Sequence, residues 1–262
     1  MTLLQGKTAL IFGVANDHSI AWGIARAMHE HGANIALSYA GETLEKRVRP
    51  LAESIQCDFV EPCDVSSDEE MDTFFEKVES ELKSIDILVH SIAFANREDM
   101  LGRYIETSRE GFRLAMDISV YSLTVLAHKS SPLMKPGSSI LTITYYGGQK
   151  AIPQYNVMGV AKAALEASVR YLAMDLGAEG IRVNAISAGP VRTLAAAGIP
   201  GFKKMYHEFS RITPLKESIT IDDVGKAAVW LSSDMASRTT GEVLFVDSGY
   251  NILGLTIPED LP

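Results

Sequence analysis

Short apolar runs alternate with longer segments of helical periodicity along the whole chain, and this alternation restricts the fold more than any other feature. The candidate strands are Thr8 to Phe12, Asn34 to Tyr39, Asp58 to Glu61, Ile85 to His90, Ser139 to Thr144, Arg182 to Ser187 and Val243 to Val246. Between them fall candidate helices near Ser19 to His31, Thr43 to Ile55, Asp68 to Leu82, Arg109 to Leu133, Ile152 to Leu176 and Ile221 to Ser232. Strands joined by helices pair in parallel, and right-handed crossovers then wind the helices onto both faces of one sheet. The expectation is a doubly wound α/β fold. Ser67 and Thr220 are each followed three residues on by an acid, Glu70 and Asp223, the pattern of an N-cap with first-turn carboxylates.

Composition removes several function classes. In 262 residues no stretch reads as a linker rich in Pro, Gly or Ser, so one domain is the simplest count. Hydrophobic residues make up 47% and charged residues 22%, enough for a large core and contrary to disorder. A net charge of −9 and a pI of about 5.2 argue against nucleic acid and anionic lipid as general partners. Cys57 and Cys63, in or beside one candidate strand and without a CxxC pair, read as reduced, buried thiols. The six histidines are scattered, which gives metal binding little support. The first apolar segment runs straight into a glycine loop, unlike a signal peptide, and no apolar run approaches the ~20 residues of a membrane span. A cytosolic protein is expected.

In such a sheet a ligand binds beyond the carboxyl ends of the strands. After the first strand, Gly13 permits a tight turn and Ala15 a close approach, while Ser19 and the helix start at Ile20 offer donors to a pyrophosphate. The loop is not a GxGxxG match, and an ordinary strand-to-helix turn explains it equally well by itself. After the second strand neither an acid for a ribose hydroxyl nor a cation for a 2′-phosphate occupies Ala40 or Gly41. NADH is therefore favoured over NADPH, although Lys46 and Arg47 follow in the next helix. Asp64 is placed to accept from an adenine amino group with Val65 beside the ring, or else to close a turn. Ser91, Ile92 and Ala93, then Phe94 and Ala95, would let backbone lie against a ribose and an acyl group. Gly189, Pro190 and Val191 would offer backbone to a nicotinamide amide, with Thr193 reaching a phosphate or that amide.

Tyr145, Tyr155 and Lys162 follow the fifth strand. If the chain is helical from Ile152, the seven-residue step from Tyr155 to Lys162 falls about 20° short of two turns and puts both on one face. A core tyrosine and an outward-reaching lysine is the plainer reading of such a pair in isolation.

Taken together, Gly13 with the Ser19-Ile20 helix start, Asp64-Val65, Ser91-Ile92, Tyr155 and Lys162 with Tyr145 ten residues before Tyr155, and Ala188-Gly189-Pro190 with Thr193 resemble the bacterial enoyl-(acyl carrier protein) reductases of the divergent short-chain dehydrogenase/reductase class. The similarity runs over essentially the whole chain. Usual members of the superfamily carry TGxxxGxG and Tyr-x3-Lys, whereas here the glycine loop is longer and the spacing is Tyr-x6-Lys.

The resemblance implies a single-domain, Rossmann-type α/β fold, a doubly wound parallel sheet of seven strands, and NADH-dependent reduction of a trans-2-enoyl thioester. Hydride addition at the β-carbon puts negative charge on the thioester oxygen, which needs a donor. It implies Tyr155 as that donor, Lys162 on the nicotinamide ribose, and Tyr145 as a second substrate-facing donor, for which core packing is the alternative. Phe94, Ala95 and Met158 would line the acyl chain. The cofactor loop would extend through Leu194 and Ala195. Residues 194 to 209 would form a lid, with Ala195, Ala196, Ile199 and Phe202 facing substrate and a surface helical hairpin as the alternative. Lys203 and Lys204 would meet an acidic acyl carrier protein; the basic residue often found in the family at Pro200 or Gly201 is missing. A homotetramer built on the long helices is implied as well. Two rivals stand: a carbonyl reductase of the same fold, against which Gly159 occupies the place of its usual lysine, and a nucleotide-sensing module without turnover.

Overall fold

The computed structural model describes residues 2–193 and 202–254, with side chains from 206 onward in the second segment. In chain order the elements are β1 (Thr8–Phe12), α1 (Ile20–Glu30), β2 (Asn34–Tyr39), α2 (Glu42–Ser54), β3 (Phe59–Pro62), α3 (Asp68–Lys77), β4 (Ile87–His90), α4 (Arg97–Met100), α5 (Arg109–Met116), α6 (Ser122–Ser130), β5 (Ser139–Thr144), α7 (Asn156–Gly177), β6 (Arg182–Ala188), α8 (Phe202–Ile212), α9 (Ile221–Ser232) and β7 (Val243–Val246). The strands form one parallel sheet in the order β3-β2-β1-β4-β5-β6-β7. The order reverses between β1 and β4, where a crevice opens at the carboxyl ends.

Alternation along β1 explains why the sheet is covered on both sides. Ala9 and Ile11 enter the apolar layer shared with α1 and α9, whereas Leu10 and Phe12 enter the layer shared with α3, α6 and α7. The central strands β4, β5 and β6 are buried on both faces along their whole length, so they read as mostly apolar runs. Both expected N-caps form. Ser67 Oγ accepts from Glu70 N, and Thr220 exchanges hydrogen bonds with Asp223. The Glu70 carboxylate turns instead to Asp64 N, at 2.9 Å.

Several boundaries differ from expectation. β3 runs from Phe59 to Pro62 rather than from Asp58 to Glu61. β4 begins at Ile87 rather than Ile85; just before it, Asp86 also accepts from Thr8 N through its carboxylate, at 2.8 Å. The helix expected through Leu82 widens into a π-turn at Val78–Leu82 and stops at Lys83, whose φ is 63°. The helix expected from Arg109 to Leu133 is divided by another π-turn, Asp117–Tyr121. α4 was not foreseen. Burial pushes the thiols of Cys57 and Cys63 up, to about 11 and about 12, and neither is in a disulfide. No helix among the described residues is long and apolar enough to cross a membrane.

Candidate active site

Tyr145 leaves β5 in extended backbone (φ −145°, ψ 149°) and a short 3₁₀ turn at Tyr146–Gly148 follows. Helix α7 then opens at Asn156, not at Ile152. Gln154 and Asn156, on either side of Tyr155, both have positive φ, 62° and 34°, outside regular helical backbone, so the helix does not extend back through them. Tyr155 therefore sits in a turn, and the shared-face argument from helical spacing does not place it. Its position comes from packing. The ring lies edge-to-face on Tyr145, with centroids 4.9 Å apart and planes at 73°, in an apolar cluster with Met100 and Met158. Gly147 makes that approach possible, since a Cβ there would meet the Tyr155 ring at 2.5 Å.

This corner is dry. Tyr155 is 9% exposed and Lys162 5%. Burial, with a smaller contribution from Tyr145, raises the Tyr155 phenol far above its ordinary value. Burial likewise pushes Tyr145 up to about 12, helped by Tyr250 and Asp247. Lys162 donates to the Ile143 carbonyl at 2.7 Å, and burial lowers it to about 8 against the opposing pull of Glu166. Nearby, buried His90 lies 2.8 Å from Thr142 Oγ1 through Nδ1 and 2.8 Å from Ser122 Oγ through Nε2. Burial and the Lys162 charge lower His90 to about 3, so its imidazole is neutral.

The opposite side of the crevice is built from backbone. Gly13 has φ 104°, and a Cβ on it would stand 2.1 Å from Ser91 O. The ends of β1 and β4 touch there. Ser19 Oγ accepts from Ala15 N and Asn16 N, each at 3.0 Å, and donates to Asn16 Oδ1 at 3.2 Å. The serine closes the loop, while Ile20 opens α1 just behind it. Asp64 Oδ1 accepts from Ser66 N and Ser66 Oγ, a turn aspartate, and Val65 is buried beside it. In α2, Arg49 stacks over Tyr39 at 5.5 Å and pairs with Glu45 at 2.7 Å, while Lys46 and Arg47 are exposed.

Beyond β4, Ser91 and Ile92 are half-buried, Ala93 and Phe94 are exposed, and Ala95 packs against the Met100, Tyr155 and Met158 cluster. Beyond β6, Gly189 N donates to Val246 O at 2.8 Å, Pro190 and Val191 are buried, and Thr193 N donates to Val191 O at 2.9 Å. The Arg192 guanidinium stacks on Tyr206 of α8 at 4.5 Å. The expectations for Leu194, Ala195, Ala196 and Ile199 fall outside the described residues, as does the side chain of Phe202.

Three contributors escaped the sequence reading. Ser119, fully buried in the second π-turn, accepts from Phe94 N at 3.0 Å and donates to Phe94 O at 3.2 Å, clamping the segment after β4. Asp247 binds the backbone N–H groups of Gly249 and Asn251 behind Tyr145. Glu166 lies in α7 beneath the Tyr145 turn. Only Glu166 left a local signal, an acid four residues from Lys162 in a mostly apolar helix.

The β1–β4 end holds Gly13 against Ser91, and the β5–α7 end holds two phenols packed on each other and a buried lysine on the Ile143 carbonyl. A family model described as enoyl-(acyl carrier protein) reductase matches residues 13–251. A Bacillus cereus protein named enoyl-(acyl carrier protein) reductase (NADH) is 53% identical over 256 residues, covering 97% of this chain and 100% of its own. The crystal structure of the corresponding NADH enzyme from Aquifex aeolicus has a TM-score of 0.94 at 53% identity, covering 97% of this chain and 99% of that one. That of the Bacillus cereus enzyme, crystallised with NADP+ and an indole naphthyridinone, has a TM-score of 0.95 at 53% identity and covers 97% and 100%. Seven parallel strands, the corner of two phenols and a lysine, and these matches along nearly the full length lead to one conclusion: the chain belongs to the enoyl-(acyl carrier protein) reductase family.

Proposed function

We propose that the chain reduces the trans-2 double bond of an enoyl thioester to the saturated acyl thioester, with NADH as the donor, in fatty acid elongation. The observation that carries the reading is the corner at the carboxyl end of β5, where buried Tyr155 packs on Tyr145 and buried Lys162 bonds the Ile143 carbonyl. When bound, NADH supplies the hydride that adds at the β-carbon. Tyr155 donates a hydrogen bond to the thioester oxygen as negative charge develops there; its raised pKa keeps it a neutral donor. Tyr145, also protonated, adds a second donor. Lys162 holds the nicotinamide ribose hydroxyls and contributes positive potential; at about 8, it is mostly charged at neutral pH. Gly13, Ala15, Ser19 and Ile20 cradle the pyrophosphate, Asp64 and Val65 take the adenine, and Ser91 to Ala93 and Gly189 to Thr193 complete the cofactor site, which extends through Leu194 and Ala195.

The acyl chain runs past Phe94, Ala95 and Met158 under a lid at residues 194–209, where Ala196, Ile199 and Phe202 face it. Acyl carrier protein delivers the substrate, met by Lys203 and Lys204. The chain works as a single domain within a cytoplasmic homotetramer; apolar side chains left exposed on α5 and α7, among them Phe112, Tyr171 and Met174, are consistent with a covered face.

The test is purified protein with crotonyl or longer enoyl thioesters and either NADH or NADPH, followed at 340 nm. Oxidation of NADH by the enoyl substrate is expected, with NADPH slower. Activity on a 3-oxoacyl thioester alone would make the protein a carbonyl reductase, and thermal stabilisation by NADH without turnover would make it a binding module.

A further inference from the structure

Helix α7 carries a second buried ionisable group. Glu166 is 5% exposed and stands one turn after Lys162. One carboxylate oxygen accepts from Thr144 Oγ1 at 2.9 Å and the other from Gln149 Nε2 at 3.1 Å. Thr144 immediately precedes Tyr145, and Gln149 closes the turn that follows it. The same carboxylate thus fastens both ends of the segment that presents Tyr145. Lys162, one helical turn earlier, bonds the carbonyl of Ile143 at 2.7 Å. Successive turns of α7 are therefore stitched to successive residues of β5.

An apolar side chain would serve stability better at this depth. A carboxylate with two neutral donors is costly to bury, and its neighbours Leu165 and Val169 belong to the apolar core. Its position beside Lys162 gives the charge a use. We propose that Glu166 is a positioning residue for the reaction: it holds the Thr144–Gln149 segment, and so Tyr145, against α7 and supplies the counter-charge that keeps Lys162 protonated.

The groups around Lys162 leave that task to Glu166. His90 on β4 is neutral, Tyr145 and Tyr155 stay protonated, and Asp247 acts on Tyr145. Burial pushes Lys162 down toward neutrality and Glu166 pushes it back. The inference rests on Lys162 being the cation that meets the cofactor ribose, and its test separates the two.

The experiment uses the full-length enzyme labelled with ¹³C at lysine Cε, with the Lys162 resonance identified by its loss in Lys162→Ala. Glu166→Gln is expected to lower the Lys162 titration by about one pH unit. The alkaline fall in NADH affinity should move with it. Thr144→Val keeps the carboxylate and is expected to leave the titration in place while lowering kcat several-fold by loosening Tyr145. An unchanged Lys162 titration in Glu166→Gln overturns the counter-charge role, whether or not Lys162 touches the cofactor. Unchanged NADH affinity in Lys162→Ala counts against the ribose reading alone. If Glu166→Gln does not fold, exposed Gln149→Met carries the test, with an expected fall in kcat/KM for the enoyl thioester of about fivefold at wild-type melting temperature. Wild-type kcat/KM in both Thr144→Val and Gln149→Met overturns the positioning role.

Discussion

The two ends of the crevice are built on different physics. At the β1–β4 end, shape does the work: Gly13 lies against Ser91, Ser19 closes its own loop, and the carboxylate of Asp64 is taken up by Ser66. At the β5–α7 end side chains carry the chemistry, with two phenols held protonated and a lysine brought toward neutrality. The difference teaches that a tight meeting of two strand ends needs close approach, which small residues provide. Stabilising a transient oxyanion needs oriented donors and a cation kept away from water.

Substitutions can break this contrast. The largest effect is expected at the shape-dependent end: Gly13→Val forces a side chain into Ser91 and into an unfavourable φ, and stability should fall by about 3 kcal/mol or more in thermal unfolding. A wild-type melting curve would mean that the β1–β4 contact is looser than described. Tyr155→Phe should retain the fold while kcat drops about 100-fold. A small loss would shift the main donor role to Tyr145.

Lys162→Ala should weaken NADH binding about tenfold or more, as titration calorimetry would read, and lower kcat as well. The same lysine yields two pH trends of opposite sign. Its folded pKa, about 8, lies below the ordinary 10.5, so between these values the unfolded chain binds more protons and the free protein gains stability as pH rises. That gain ends near pH 10, where tyrosines of the unfolded chain ionise while Tyr145, near 12, does not. NADH affinity should fall over the same rise through pH 8, because the cation is lost. Melting temperature and NADH affinity that move together would sink the assigned role. The smallest effect is expected from Ser19→Ala, about 1 kcal/mol of stability, since two loop N–H groups lose their acceptor. NADH binding should weaken only modestly, and a far larger loss would put Ser19 Oγ on the phosphate itself.

Much of the sheet was legible because β-branched and apolar runs mark buried parallel strands; β1, β2, β5 and β7 begin and end where periodicity put them. Both N-caps were legible for the same local reason. The start of α7 was misread, although Pro153 and Asn156 stood in the sequence as warnings: a residue before proline avoids helical backbone, and asparagine tolerates positive φ. The π-turn at Asp117–Tyr121 left no such sign. It matters because it aims Ser119 at the Phe94 backbone, a contact across 25 residues that no local pattern encodes.

The sequence alone determined the alternation of strands and helices, hence the parallel sheet, the crevice at its carboxyl ends, and the residue types available there. These follow from local propensity and the two periodicities of buried chains. Only the tertiary structure decided that Tyr155 reaches its place from a turn and packs on Tyr145, that Lys162 is desolvated, and that Glu166 bonds Thr144 and Gln149 on either side of the Tyr145 turn. Burial and long-range contact set the charge states of these side chains, and neither quantity exists until the helices close over the sheet.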